Sequence, residues 1–218
     1  MNVFRSLLYT LFFLVFIEIL SLWIVIGEAW NADFVGYPYI YFGNGLLELI
    51  GLFLFMHFTK RFRFSDLKAS KSYFYPLAMI LGIGFSFLQI PLNVVYNLIN
   101  GDEYQIALDF QWNDHFSLNT FGLVFFIPIA EELFFRQFLQ KELAMKYPVW
   151  LSIVLSALLF ALIHLGLLSI IAGGDLNWHS AYISLFGGFI AASLFHFSKS
   201  IGPAILFHVF WNASVAVF

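Results

Sequence analysis

Three short patterns in the second half of this chain bring together side chains that carry acid–base chemistry. Glu131-Glu132-Leu133-Phe134-Phe135-Arg136, Phe160-Ala161-Leu162-Ile163-His164 and His208-Val209-Phe210-Trp211-Asn212 each lie inside an apolar stretch. Ionisable groups in such stretches are costly, so each needs a reason. On a helix, Glu132 and Arg136 stand at i, i+4 and can pair. Adjacent residues point about 100° apart, so Glu131 is left facing elsewhere, toward the bundle interior. A structural ion pair therefore accounts for Glu132 and Arg136 but not for Glu131. Phe160 shares a helical face with His164, and His208 with Asn212. Each of these pairs, taken alone, reads equally well as a packing or hydrogen-bond pair between helices. Together the three patterns supply what hydrolysis of an amide needs. A carboxylate and an imidazole can position and deprotonate a water, while a second imidazole and an amide can donate to a developing oxyanion. The same Glu131, His164 and His208 could instead furnish three ligands to zinc, with a fourth position open. Asn212 is a good donor but a poor zinc ligand, and no carboxylate follows Glu142 in the later spans to back the histidines. These points favour a metal-free site with zinc as the alternative.

The elements that must position these groups are membrane spans. Of 218 residues, 61% are hydrophobic and 11% charged, which leaves too little polar surface for a soluble domain. About 20 apolar residues cross a hydrocarbon core of about 30 Å. Seven spans are expected, at roughly Phe4–Ile26, Tyr39–Phe58, Tyr73–Ile99, Phe116–Lys141, Pro148–Ile171, Ala181–Phe197 and Ile201–Phe218, the fourth continuing as helix toward Met145. A barrel would show alternating segments of about 10 residues instead. The fold class is therefore all-α, a polytopic transmembrane helical bundle forming one membrane-embedded domain over 1–218. Within it, 1–115 carries no motif and 116–218 is the motif-bearing core. The first run is longer than a signal h-region and holds Glu18, so it reads as a permanent span. A formal charge of −3 argues against a nucleic-acid partner, and the lack of cysteine excludes thiol catalysis and thiolate metal sites.

Basic residues set the orientation. If the loop bearing Lys60, Arg61, Arg63, Lys68 and Lys71 is cytoplasmic, seven alternating spans put Arg5, Arg136, Lys141, Lys146 and Lys199 on that side too, accounting for all 10 Lys and Arg. The opposite loops hold Glu28, Asp33, Asp102, Glu103, Asp109, Asp114 and Asp175. This places the N-terminus in the cytoplasm and the C-terminus outside. The lack of a soluble domain fits a prokaryotic plasma membrane.

Depth gives a partial check. Glu131 stands about 21 Å from Met145 and His164 about 24 Å from Pro148, but His208 only about 10 Å from Ile201. The three meet only if the turn Ser198–Gly202 sits deeper than the other cytoplasmic ends. Glu18 and Glu48 lie at similar depths in the first two spans, near the level of Gln89 and Asn93. They read as protonated carboxyls hydrogen-bonded across helices, in preference to a polar path or substrate cleft. His115 and His179 show no evident partner, and the 30 Phe read as lipid-facing filler.

Glu131-Glu132-xxx-Arg136, Phe160-xxx-His164 and His208-xxx-Asn212 together resemble the three-motif signature of the CPBP intramembrane proteases. That family includes the CAAX prenyl endopeptidases of the Rce1 type and bacterial proteins of the CAAX-protease-like self-immunity and abortive-infection groups. The resemblance covers about Phe116 to Phe218, with every signature residue in place. It implies that Glu131 and His164 activate water, that Glu132 and Arg136 brace the site, and that His208 and Asn212 form the oxyanion pocket. The expected function is an intramembrane endopeptidase acting on a membrane-associated or prenylated, CAAX-type protein or peptide. Two other classes compete with it: a non-catalytic immunity or binding protein on the same fold, and a small transporter using Glu18, Glu48 and Gln89. Intact motifs weigh against the first, and the lack of paired repeats against the second. No His-Glu-x-x-His helix and no Gly-x-Ser-x-Gly turn occurs.

Overall fold

A computed structural model describes residues 1–30, 40–58, 69–101, 117–166 and 174–217, and among them the chain is helical with no strand. Seven helices follow in order: α1 (Val3–Trp30), α2 (Ile40–Phe58), α3 (Phe74–Asn100), α4 (Leu118–Ala144), α5 (Val149–Ile163), α6 (Trp178–Ser198) and α7 (Ile201–Val217). The stretches Val3–Leu20, Phe74–Asn100, Leu118–Ala144 and Trp178–Ser198 are long and apolar enough to cross a membrane. The apolar runs Phe42–Phe58, Val149–Ile163 and Ile201–Ala216 are shorter. Large apolar side chains such as Phe4, Phe12, Ile19, Leu54, Ile80 and Leu98 stand exposed on the outside of the bundle, a surface that only lipid would cover well. The chain is an integral membrane protein. The basic residues Lys60, Arg61, Arg63 and Lys68, the acidic Asp33, Asp102, Glu103, Asp109 and Asp114, and His115 lie outside the described residues, as does the side chain of Glu28.

α4 is the axis of the bundle. Every residue from Glu131 to Gln140 is buried. The Phe13 ring stacks on Phe134 at 4.2 Å, Tyr9 meets Phe138 edge-on at 5.3 Å, and Phe160 meets Phe135 edge-on at 5.3 Å. The phenylalanines thus divide. Phe4, Phe12, Phe58 and Phe197 face outward as filler, but Phe13, Phe85, Phe134, Phe135, Phe138, Phe160 and Phe207 build the core. The expectation of lipid-facing filler holds for only part of the set, because a wide bundle without polar packing needs large rings inside as well as out.

Two stretches of α4, Gly122–Phe126 and Leu133–Gln140, are wound as π-helix. They flank the α-helical turns Ile127–Glu132 that carry both carboxylates. The first has a local cause. Pro128 brings no N–H and its ring crowds the carbonyl four residues back, and a wide turn just before it relieves that crowding.

The fifth span is shorter than expected. α5 stops at Ile163, His164 takes the cap position, and Gly166 follows at φ 64, a left-handed conformation that glycine adopts without strain. Much of the turn between α6 and α7 is packed against the protein, although Lys199 is exposed. Ser198, Ser200 and Ile201 are each under a tenth exposed, and the Ser70 hydroxyl donates to the Ser198 carbonyl at 3.1 Å.

Close helix contacts rest on small residues. A methyl group on Gly82 of α3 would stand 2.5 Å from the Phe207 carbonyl oxygen and 3.0 Å from the Trp211 nitrogen of α7, all backbone that cannot step aside. One on Gly84 would meet nothing within 4 Å. Gly82→Ala is therefore expected to lower the melting temperature of the detergent-solubilised protein, at a cost of about 1–3 kcal/mol from overpacking. Gly84→Ala should leave it unchanged or raise it, since alanine is the better helix former by about 1 kcal/mol.

Candidate active site

The first motif forms as its spacing predicts and then reaches further. Arg136 Nη2 donates to Glu132 Oε1 at 3.3 Å, and Nε lies 3.0 Å from Oε2 as a charge contact off the N–H axis rather than an aligned hydrogen bond. Both side chains are fully buried. Nη1 donates to the Ser156 hydroxyl at 3.2 Å, and that hydroxyl donates to the Phe135 carbonyl at 3.1 Å. The guanidinium carbon sits 4.9 Å from the centre of the Phe160 ring, within cation–π range. Ser156 was not singled out from the sequence. It stands four residues before Phe160 and eight before His164 on the same face of α5, a spacing that could have revealed it.

The two carboxylates do not part company as fully as their angular separation implies. His208 of α7 lies between them, with Nδ1 3.1 Å from Glu132 Oε1 and Nε2 3.7 Å from Glu131 Oε2. Glu132 thus serves both Arg136 and His208. Glu131 is buried but slightly more open than Glu132, and it makes no hydrogen bond with any described residue. Trp211 stacks on the His208 ring at 5.2 Å and fixes its plane. Trp211 can come this close because Gly187 of α6 has no side chain: a methyl there would lie 2.5 Å from the indole.

His164 is set by its place at the end of α5. Its Nδ1 lies 2.9 Å from the Phe160 carbonyl oxygen. A carbonyl only accepts, so Nδ1 carries the hydrogen and a neutral ring keeps its lone pair on Nε2. The Phe160 ring stands between the two imidazoles, 4.6 Å from His164 and 5.7 Å from His208.

Asn212 donates through Nδ2 to the Leu123 carbonyl at 3.2 Å. The π-helical turn explains why that carbonyl is open. The Ile127 N–H bonds to Gly122, and the next residue in that register is Pro128, which has no N–H to offer Leu123. The amide keeps a second N–H for other use.

Glu131, Glu132, Arg136, Phe160, His164 and His208 are thus joined in one chain of contacts, while Asn212, one turn from His208, is turned to the Leu123 carbonyl. Zinc would need its ligands converging on a point about 2.0–2.2 Å from each. Among the described residues, no set of three His, Asp or Glu side chains gathers in that way.

Outside the motifs, Glu48 of α2 is 4% exposed and sits near enough to Glu131 for the two carboxyls to interact electrostatically. Its Oε1 finds no hydrogen-bond partner among the described residues. Asn93 does have a partner: His179 Nε2 lies 2.8 Å from its Oδ1, which ties α3 to α6 and supplies the contact the sequence did not reveal.

An integral membrane helical bundle with buried carboxylates and imidazoles at its centre is the class that fold and site define. Residues 113–214 match the family model described as type II CAAX prenyl endopeptidase Rce1-like. That stretch, just under half of the chain, is similar to the Rce1-like family, and it contains the three motifs complete. No curated protein and no solved structure matches the chain.

Proposed function

We propose that this protein is an intramembrane endopeptidase that hydrolyses a peptide bond of a membrane-associated, CAAX-type protein or peptide with water activated by Glu131 and His164. The observation that carries this reading is the contrast between the paired carboxylates. Glu132 is fully buried and held by Arg136 and His208, whereas Glu131, slightly more open, is bonded to nothing described. A buried polar group without a partner calls for an explanation, and a bound water supplies one.

In this reading a water sits between Glu131 and His164 Nε2. As its oxygen attacks the scissile carbonyl carbon, its proton passes to that pair, a step worth about 10²–10⁴-fold. The second N–H of Asn212 and Nε2–H of His208 donate to the oxyanion. Because Nδ1 of His208 already faces Glu132, a donor at Nε2 requires a ring protonated on both nitrogens. Collapse of the intermediate breaks the C–N bond, and the proton held by the pair passes to the leaving amine. Glu132, Arg136, Ser156 and Phe160 fix these groups. In this reading the residues act without a metal. The match of residues 113–214 to the family model and the lipid-facing exterior support a substrate presented from the bilayer.

Mapping of new protein N-termini in membranes from cells producing wild type or Glu131→Gln tests the reading. Termini present only with wild type are expected, and identical maps would contradict it. The orientation belongs to the same proposal. Reporters fused after Lys68 and after Asp109 should mark the cytoplasm and the exterior respectively, and the same side for both would remove the third span from the topology.

A further inference from the structure

α2 and α4 run side by side in the same direction. Phe42 packs on Phe121 and Phe126, Gly45 abuts Phe126 and Ile127, and Phe55 meets Phe138. A methyl on Gly45 would come 3.1 Å from the Phe126 Cβ, so the two backbones are held close at that level. Glu48 is three residues beyond Gly45, about 4.5 Å along α2, and Glu131 four beyond Ile127, about 6 Å along α4. The two carboxyls therefore reach the same depth across one seam. They interact electrostatically, and Glu48 Oε1 is buried with no described partner. Glu132, Arg136 and His208 bond instead toward α5 and α7.

We propose that Glu48 is a positioning residue of the same site, its carboxyl holding Glu131 and the attacking water in place from the α2 side. This inference rests on the hydrolytic reading above and extends it to the half of the chain that carries no motif. A buried carboxyl oxygen with no partner weakens a fold. A carboxyl kept only for packing would be expected to find a partner, whereas one that holds a water aimed at Glu131 would not show it among protein atoms. Sites of this kind commonly give up stability for activity.

The test compares cells producing wild type, Glu131→Gln, Glu48→Leu and Glu48→Gln, with the yield of wild-type-dependent new N-termini measured at matched protein levels and the melting temperature of each purified protein measured in detergent. Glu48→Leu should lower the yield by about tenfold or more, a misplacement effect, while melting at or above the wild-type temperature. Glu48→Gln keeps a hydrogen-bonding head and should recover at least about threefold of that loss. Wild-type yield in Glu48→Leu while Glu131→Gln is silent would overturn the inference and leave the hydrolytic reading intact. So would a parallel loss of yield and folded protein in Glu48→Leu, with Glu48→Gln restoring both, because that pattern is structural. Wild-type yield in Glu131→Gln would bring down the hydrolytic reading, and this inference with it.

Discussion

Glu131→Gln is expected to remove cleavage and to leave the protein folded in the membrane. The substitution keeps the size of the side chain and takes away its ability to accept a proton. Glu131 makes no hydrogen bond with a described residue, His208 Nε2 standing 3.7 Å away and too far for one, so little structure depends on it. The rate should fall by at least about 10²-fold, the lower end of what a positioned general base supplies. The melting temperature should stay within a few degrees of wild type. The corresponding change at Glu132 separates the two carboxylates. Glu132→Gln weakens both the Arg136 pair and the His208 hydrogen bond, so it should lower stability as well as rate.

Arg136→Ala is expected to have the largest effect on stability. The guanidinium holds Glu132, donates to Ser156 and lies over the Phe160 ring, all out of contact with the surroundings. Removing it leaves a buried carboxylate without its partner, which costs about 3–5 kcal/mol. The amount of folded protein recovered from membranes should drop sharply. Arg136→Lys should rescue it poorly, because an ammonium cannot reproduce the planar fork that meets Glu132 and Ser156 together. Replacing both partners, as Glu132→Leu with Arg136→Met, should restore much of the stability without restoring cleavage, since paired apolar residues of similar volume avoid the desolvation penalty. Folded yield and melting temperature across the four proteins check this.

Much of the architecture was legible because lipid leaves the chain few options. Runs of about 20 apolar residues must be helices, and the spacing Glu132-xxx-Arg136 on a helix already implies the pair that forms. What escaped the sequence depends on register and on contacts between distant segments. The two wide turns in α4 are invisible to a regular 3.6-residue period, and they accompany an arrangement in which Glu131 and Glu132 both reach His208. The early end of α5 at His164 rests on a side-chain bond to Phe160 and on Gly166, which hydropathy does not report. The partner of Asn212 depends on the missing N–H of Pro128, a residue 84 positions away. Glu48 could be flagged as a costly charge in a span, but only the packing of α2 along α4 shows which carboxylate it meets.

The central claim is that the Glu131–His164 pair activates water without a metal. The purified protein, stripped with a membrane-compatible chelator and shown by elemental analysis to be free of metal, should be assayed on a peptide spanning a mapped cleavage site. Undiminished cleavage that disappears in Glu131→Gln is the expected result. Cleavage lost on stripping and regained on adding zinc would contradict the account and make His164 and His208 ligands.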